Sequence, residues 1–219
     1  MNDVYLFLIY SIALIGVMLV AELAYRFLHL PVEWSRKIAH VGAGIVALTY
    51  PKYIDNHLVV LALTLSFTLI LFISKKLKLF PSIFAIERKS YGELFFVWST
   101  WLLFVLFQVT NQVIYFLLPF AIVVFADPAA ALVGQSFPIK NYAIKGHQKS
   151  LTGSLSFFLI SLFLTVLFVP ALNVDSINFW LFAVFFAIMI TIVEAVSSKG
   201  LDNLTIPLAA ILLLKLYFI

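Results

Sequence analysis

The feature that most constrains this chain is a succession of apolar runs about as long as a bilayer is thick, joined by short polar links. A helix needs ~20 apolar residues to cross the hydrocarbon core. Such runs lie at roughly 4–25, 38–54, 57–74, 93–110, 112–134, 151–171, 177–197 and 203–218. The expectation is an all-α integral membrane protein: one polytopic bundle of about eight transmembrane helices, with no room for a separate soluble domain, hence a single domain over 1–219. Charged residues make up 11% of the chain, against about 25% in soluble domains, which excludes an ordinary soluble fold. Cysteine is absent, so disulfides, thiolate catalysis and Cys-ligated metals are excluded. Asp3 stands where a signal peptide would be basic, and no small-x-small site follows the first run, so no cleaved leader is expected. Gly42 and Gly44 in the short second run point to close packing or tilt.

The basic residues set an orientation. Arg26, Arg36, Lys37, Lys75, Lys76, Lys78, Arg88, Lys89, Lys140, Lys145, Lys149 and Lys199 fall on alternate links, and only Lys52 and Lys215 fall on the other side. The positive-inside rule then puts the rich side in the cytoplasm and both termini outside. The net charge of +4 and pI near 9.2 suit anionic headgroups or a phosphorylated ligand, and the same rule accounts for them equally well. The acids crowd the same side: Glu22, Glu33, Glu87, Glu93, Asp127, Glu194 and Asp202. Orientation does not require this, because Asp and Glu contribute little to it. Glu22, Asp127 and Glu194 sit in or at the ends of spans, where a charge costs ~2.5–3.5 kcal/mol at the centre. Acids kept there pair, bind ions or do chemistry.

Several groupings carry chemistry. Asp127-Pro128 reads as a helix cap followed by proline at the first helical position. The fifth span is expected to break at Asp127 and a short helix to run to Gly134, with Ala129, Ala130 and Ala131 allowing close approach. Lys149-Ser150-Leu151-Thr152-Gly153-Ser154 opens the sixth span, where helix-start amides and the dipole favour an anion. Ser150 or Thr152 can cap, Gly153 admits close approach and Lys149 adds charge. It is not a P-loop, since G-x-x-x-x-G-K-[ST] is missing. Arg36, Lys37 and His40 open the second span, with Arg36 and His40 on one face; two cations and a histidine suit a polyphosphate and an acid or base. Arg88 and Lys89 could hold phosphate in the third link, and Glu93 suits the start of the fourth helix. Asp202 or Asn203 can cap the last helix or reach Mg²⁺ through oxygen, as can Glu194. Cations for phosphates, carboxylates for Mg²⁺ and a base for a hydroxyl are what phosphoryl transfer uses.

These residues resemble the CTP-dependent lipid-alcohol kinases, the group of dolichol, phytol, farnesol and yeast-type diacylglycerol kinases, over nearly the whole chain. Arg36-Lys37-x-x-His40 resembles the family's early R-K-x-x-H. Asp127-x-x-x-Ala131-x-x-Gly134 and Lys149-Ser150-x-x-Gly153-Ser154 resemble its central core, and Glu194 with Gly200-Leu201-Asp202-Asn203-x-x-x-Pro207 resembles the phytol-kinase ending. Gln135-Ser136-Phe137-Pro138 departs from the Arg and F-G often found there. Phosphatidate cytidylyltransferases share the middle block, but their C-terminal Lys-Asp pair and His-Gly-Gly run are absent; the last histidine is His147.

The resemblance implies transfer of the γ-phosphate of CTP to a long-chain alcohol, an isoprenoid or diacylglycerol, with Mg²⁺ as cofactor. The site would face the cytoplasm of a cell membrane or endomembrane, with lipid and nucleotide as partners and no nucleic acid. Asp127 is the first choice for Mg²⁺ or base. Lys149, Arg36, Lys37, Arg88, Lys89 and Lys145 would hold phosphate, with Ala131, Gly134, Ser150, Gly153 and Ser154 shaping the nucleotide site. His40 would be a base, and Glu194, Asp202 and Asn203 metal ligands. A small transporter of anionic solutes is the alternative from another class; it is disfavoured by the absence of repeated halves and the one-sided placing of polar groups.

Overall fold

A computed structural model describes residues 2–85, 90–144, 147–168 and 176–218. Glu87, Arg88, Lys89 and Lys145 lie outside the described residues. The chain divides into two compact units, Met1–Asn111 and Gln112–Ile219.

The first unit contains α1 (Asp3–Phe27), α2 (Val32–Leu48), a turn α3 (Tyr50–Tyr53), α4 (His57–Leu77), a turn α5 (Pro81–Phe84) and α6 (Gly92–Thr110). Asn2 caps α1 through the Val4 amide at 3.0 Å, and Asn56 caps α4 through Leu58 at 3.0 Å, each answering an amide the helix leaves open. α1 packs on α2 and α4, and α4 on α6. Leu14, Met18, Phe67, Leu71 and Ile83 form a buried cluster. The expected close packing at Gly42 is present: a Cβ there would lie 2.7 Å from Val17 Cγ1.

The second unit begins with α7 (Ile114–Ala121), which passes through a π-helical turn (Ile122–Ala126) into α8 (Asp127–Ser136). A hairpin follows, β1 (Asn141–Ile144) antiparallel to β2 (His147–Ser150), then α9 (Leu151–Phe168), α10 (Ser176–Val196) and α11 (Asp202–Phe218). α9 packs on α8 and α10, and α11 on α10 and α7. Phe116, Phe120, Phe157, Phe186, Ile190, Ile206 and Leu214 are fully buried. The turn into α11 runs through Gly200 at φ 85°, a conformation that favours glycine because it lacks a Cβ.

Three expectations are corrected. The chain does not break at Asp127, which is helical at φ −63°, ψ −48°. Pro128 offers no N–H to the preceding turn, and the Asp127 amide instead reaches back five residues to the Ile122 carbonyl. Ile122, Val123, Val124 and Ala126 are wholly buried, so opening the backbone there would orphan polar groups; a wider helical turn avoids this. Second, α2 starts at Val32, earlier than expected. Arg36, Lys37 and His40 therefore sit in its second and third turns, with amides engaged in the helix, and form no helix-start anion site. Third, the link before the sixth span, read in the sequence only as a basic loop, forms the hairpin β1–β2.

Among the described residues six helices are long and apolar enough to cross a membrane: Asp3–Phe27, His57–Leu77, Gly92–Thr110, Ile114–Ser136, Leu151–Phe168 and Asn178–Val196. The chain is thus a helical, multi-pass membrane protein. α2 and α11, the other two expected spans, have 17 residues each, or ~26 Å of helix at ~1.5 Å per residue, short of a ~30 Å core.

Candidate active site

The polar groups of the second unit converge on Glu194, near the end of α10. Its side chain is 8% exposed. Lys149, the penultimate residue of β2, places its ammonium 2.5 Å from Glu194 Oε1 and donates as well to the Glu194 backbone carbonyl. Two of the three N–H groups of the ammonium are thus directed at one residue. Glu194 Oε2 is buried without a hydrogen-bond partner. The carboxylates of Asp127 and Asp202 lie near enough to repel that of Glu194. Asp127 is buried at the first position of α8, and Asn203, buried at the start of α11, donates its amide to Asp202 Oδ1 at 3.0 Å. Glu194 is thus a buried acid with one oxygen paired and one unmatched. Such a group calls for a proton or a cation.

These residues fit Mg²⁺ in one manner and not in another. Among the described residues no three His, Cys, Asp or Glu side chains converge as a metal cage. Mg²⁺ bound with a nucleotide needs only one or two carboxylates, with water and phosphate oxygens completing the octahedron. The unmatched Oε2 and its acidic neighbours meet that smaller demand.

The run after Lys149 is built into a helix crossing. Ser150 Oγ accepts from the Gly153 amide at 3.1 Å, capping α9, and donates to the Gly134 carbonyl at 3.3 Å. Thr152 Oγ1 donates to the Phe137 carbonyl at 2.6 Å. The Leu151 amide lies 3.2 Å from the Ile139 carbonyl. A Cβ on Gly153 would lie 2.8 Å from the Ala130 carbonyl oxygen, and one on Gly134 would lie 2.7 Å from Ser150 Oγ. Gly134, Ser150 and Gly153 are thus brought together where α8 meets α9. Ala131 is half-buried on α8. Ser154 bonds to Tyr142, its Oγ 2.5 Å from the tyrosine hydroxyl. Tyr142 escaped the sequence reading. Neither Asn141–Ile144 nor His147–Ser150 alternates apolar with polar residues, so the sequence carries no period of two to mark the strands.

In the first unit, Arg36 pairs with Glu33 at 3.2 Å, Lys37 is half-buried on α2 and the His40 ring packs on Phe96 with centroids 4.2 Å apart. Glu93 opens α6, as expected, with Lys75 at 3.9 Å. Glu22 accepts from Arg26 on one oxygen and from the Ser82 amide, at 3.2 Å, on the other.

Apolar spanning helices that keep acids and a half-buried lysine in one unit mark a class of membrane protein that handles a charged group beside lipid. The chain is 33% identical over 203 residues to a phytol kinase of Synechocystis sp., an alignment covering 90% of this chain and 85% of that protein. It belongs to the lipid-alcohol kinase family that includes phytol kinase. No family model and no solved structure matches the chain.

Proposed function

We propose that the protein transfers the γ-phosphate of CTP to the hydroxyl of a long-chain isoprenoid alcohol, phytol in the first instance, with Mg²⁺, at the cytoplasmic face of its membrane. Kinship to a phytol kinase supports the reaction class. The observation that carries the site is the Lys149–Glu194 ion pair, its carboxylate buried and one of its oxygens unmatched.

In this reading the third N–H of Lys149 donates to phosphate oxygens and neutralises charge that grows on them during transfer. Asp127 and Glu194 Oε2 would hold Mg²⁺, which would supply positive charge against the phosphates. Asp202 orders the start of α11 beside them. Asp127, set at the top of α8 beyond the π turn, also takes the hydroxyl proton as the alcohol oxygen bonds to the γ-phosphorus and the β–γ bridging bond breaks. The products are the lipid phosphate and the nucleoside diphosphate. The alcohol keeps its chain in the bilayer and presents only its hydroxyl.

The test is purified protein in detergent with γ-labelled CTP or ATP and phytol, farnesol, dolichol or diacylglycerol in turn. Labelled lipid with CTP and an isoprenoid alcohol is the expected result. No labelled lipid with any alcohol overturns the reading, and a CDP-lipid formed from phosphatidic acid would make the protein a cytidylyltransferase. Because the chain lacks cysteine, a Lys140→Cys variant gives a unique thiol on the exposed link after α8. An impermeant maleimide should reach it from the cytoplasmic side alone.

A further inference from the structure

We propose that Tyr142 is a positioning residue for Lys149, and so for the nucleotide phosphates that Lys149 holds; this rests on the kinase reading above. Tyr142 and Lys149 face each other across the hairpin, in a register that pairs Asn141 with Ser150 and Ala143 with Gln148. Side chains directly opposite in an antiparallel pair share a face, with Cβ atoms ~4.5–5.5 Å apart. The tyrosine is therefore the immediate neighbour of the lysine stem. Its hydroxyl is bonded to Ser154 Oγ, 2.5 Å away in the first turn of α9.

The hairpin is thereby attached to α9 along both strands as well as at its base, where the Leu151 amide meets the Ile139 carbonyl. β2 runs directly into the helix through the Ser150 cap, and β1 is tied back by Tyr142. Without the Tyr142 bond the hold of β1 on α9 falls back to that base, and the strand opposite Lys149 is freer to move. A lysine stem has four rotatable carbons and a large rotamer entropy. The ring beside it and the fixed strand beneath it restrict that freedom, which leaves the ammonium aimed at Glu194. Burial fits this: Tyr142 and Lys149 are half-buried, whereas Ala143 and Gln148, on the opposite face, are exposed.

The experiment reads Lys149 directly and does not depend on turnover. Amine-reactive labelling in detergent micelles, resolved by peptide mass spectrometry, gives a rate for each lysine. In the parent protein Lys149 should react more slowly than exposed Lys140. Tyr142→Phe, which removes only the hydroxyl, should raise the Lys149 rate about five- to tenfold, the scale of one lost hydrogen bond. Ser154→Ala should do the same from the other side of the bond, and covers the case in which Tyr142→Phe does not fold. Tyr142→Ala should exceed both. Gln148→Ala, on the opposite face, should change nothing.

In turnover the KM for nucleotide should rise by the same factor in Tyr142→Phe, with the KM for alcohol unchanged. An unchanged Lys149 rate in both single variants overturns the proposal, and so does an equal rise at every lysine, which would make the tyrosine a general support of the fold. If the parent protein phosphorylates no alcohol, the kinase reading fails, and the labelling rates still decide whether Tyr142 fixes Lys149.

Discussion

Each unit buries a glutamate near the end of a spanning helix, and the two are completed in opposite ways. Glu22 gives one oxygen to Arg26 and the other to the Ser82 amide. Both of its oxygens are answered by donors of its own unit, and what it does is hold the turn α5 against α1. Glu194 gives one oxygen to Lys149 and leaves the other buried and unanswered beside two more acids. A saturated carboxylate is a fastening. An unsaturated one, desolvated, keeps an acceptor open to water, a proton or a cation. The same residue type therefore serves structure in one unit and points to chemistry in the other.

The sharpest way to break this contrast is to remove the cation at the unsaturated site. Lys149→Ala should lower turnover by ~10²–10³-fold, the cost of losing one preorganised donor to a charge-developing transition state. Asp127→Asn should fall at least as far, since it removes both proton acceptor and metal ligand. Both are to be measured per monodisperse protein after size exclusion. Near-parent activity in both would remove Lys149 and Asp127 from the reaction and leave the unmatched Glu194 oxygen a matter of packing.

A paired measurement comes next in size. Glu194→Gln and Glu22→Gln should each cost ~1.5–3 kcal/mol of stability, the value of hydrogen bonds to a charged group. Only Glu194→Gln should change catalysis, with a Mg²⁺ requirement raised about tenfold. Thermal unfolding in detergent together with a Mg²⁺ titration separates the effects. Equal losses of activity in the two variants would erase the distinction between fastening and site.

The residues of the site were legible in the sequence because an acid inside an apolar run has few reasons to be there. Asp127 and Glu194 stood out on that ground, Lys149 as the charge that opens the sixth span, and the helical membrane class followed from run length. Their arrangement was not legible. The pairing of Lys149 with Glu194 joins positions 45 apart in sequence and depends on how α9 meets α10. The continuous helix at Asp127 went against the local bias of the residue before a proline, because burial of four of the five residues of the preceding turn outweighs that bias. Gly153 was expected to make room for a ligand. Its hydrogen is instead where α8 passes, and its amide is already capped by Ser150.

That last point gives the smallest predicted effects. Gly153→Ala drives a methyl toward the Ala130 carbonyl oxygen at 2.8 Å. The obstacle is backbone on a packed helix, which cannot rotate away, so α8 and α9 must separate. Overpacking of this kind costs ~1–3 kcal/mol, and the separation should loosen the Ser150 cap next to Lys149. Gly16→Ala meets nothing within 4 Å. It should be neutral or stabilising by up to ~0.5–1 kcal/mol, since alanine orders the middle of a helix better than glycine. If Gly153→Ala proved as harmless as Gly16→Ala in melting and in turnover, the α8–α9 crossing would have slack, and the strand that carries Lys149 would not be held as tightly as its hydrogen bonds require.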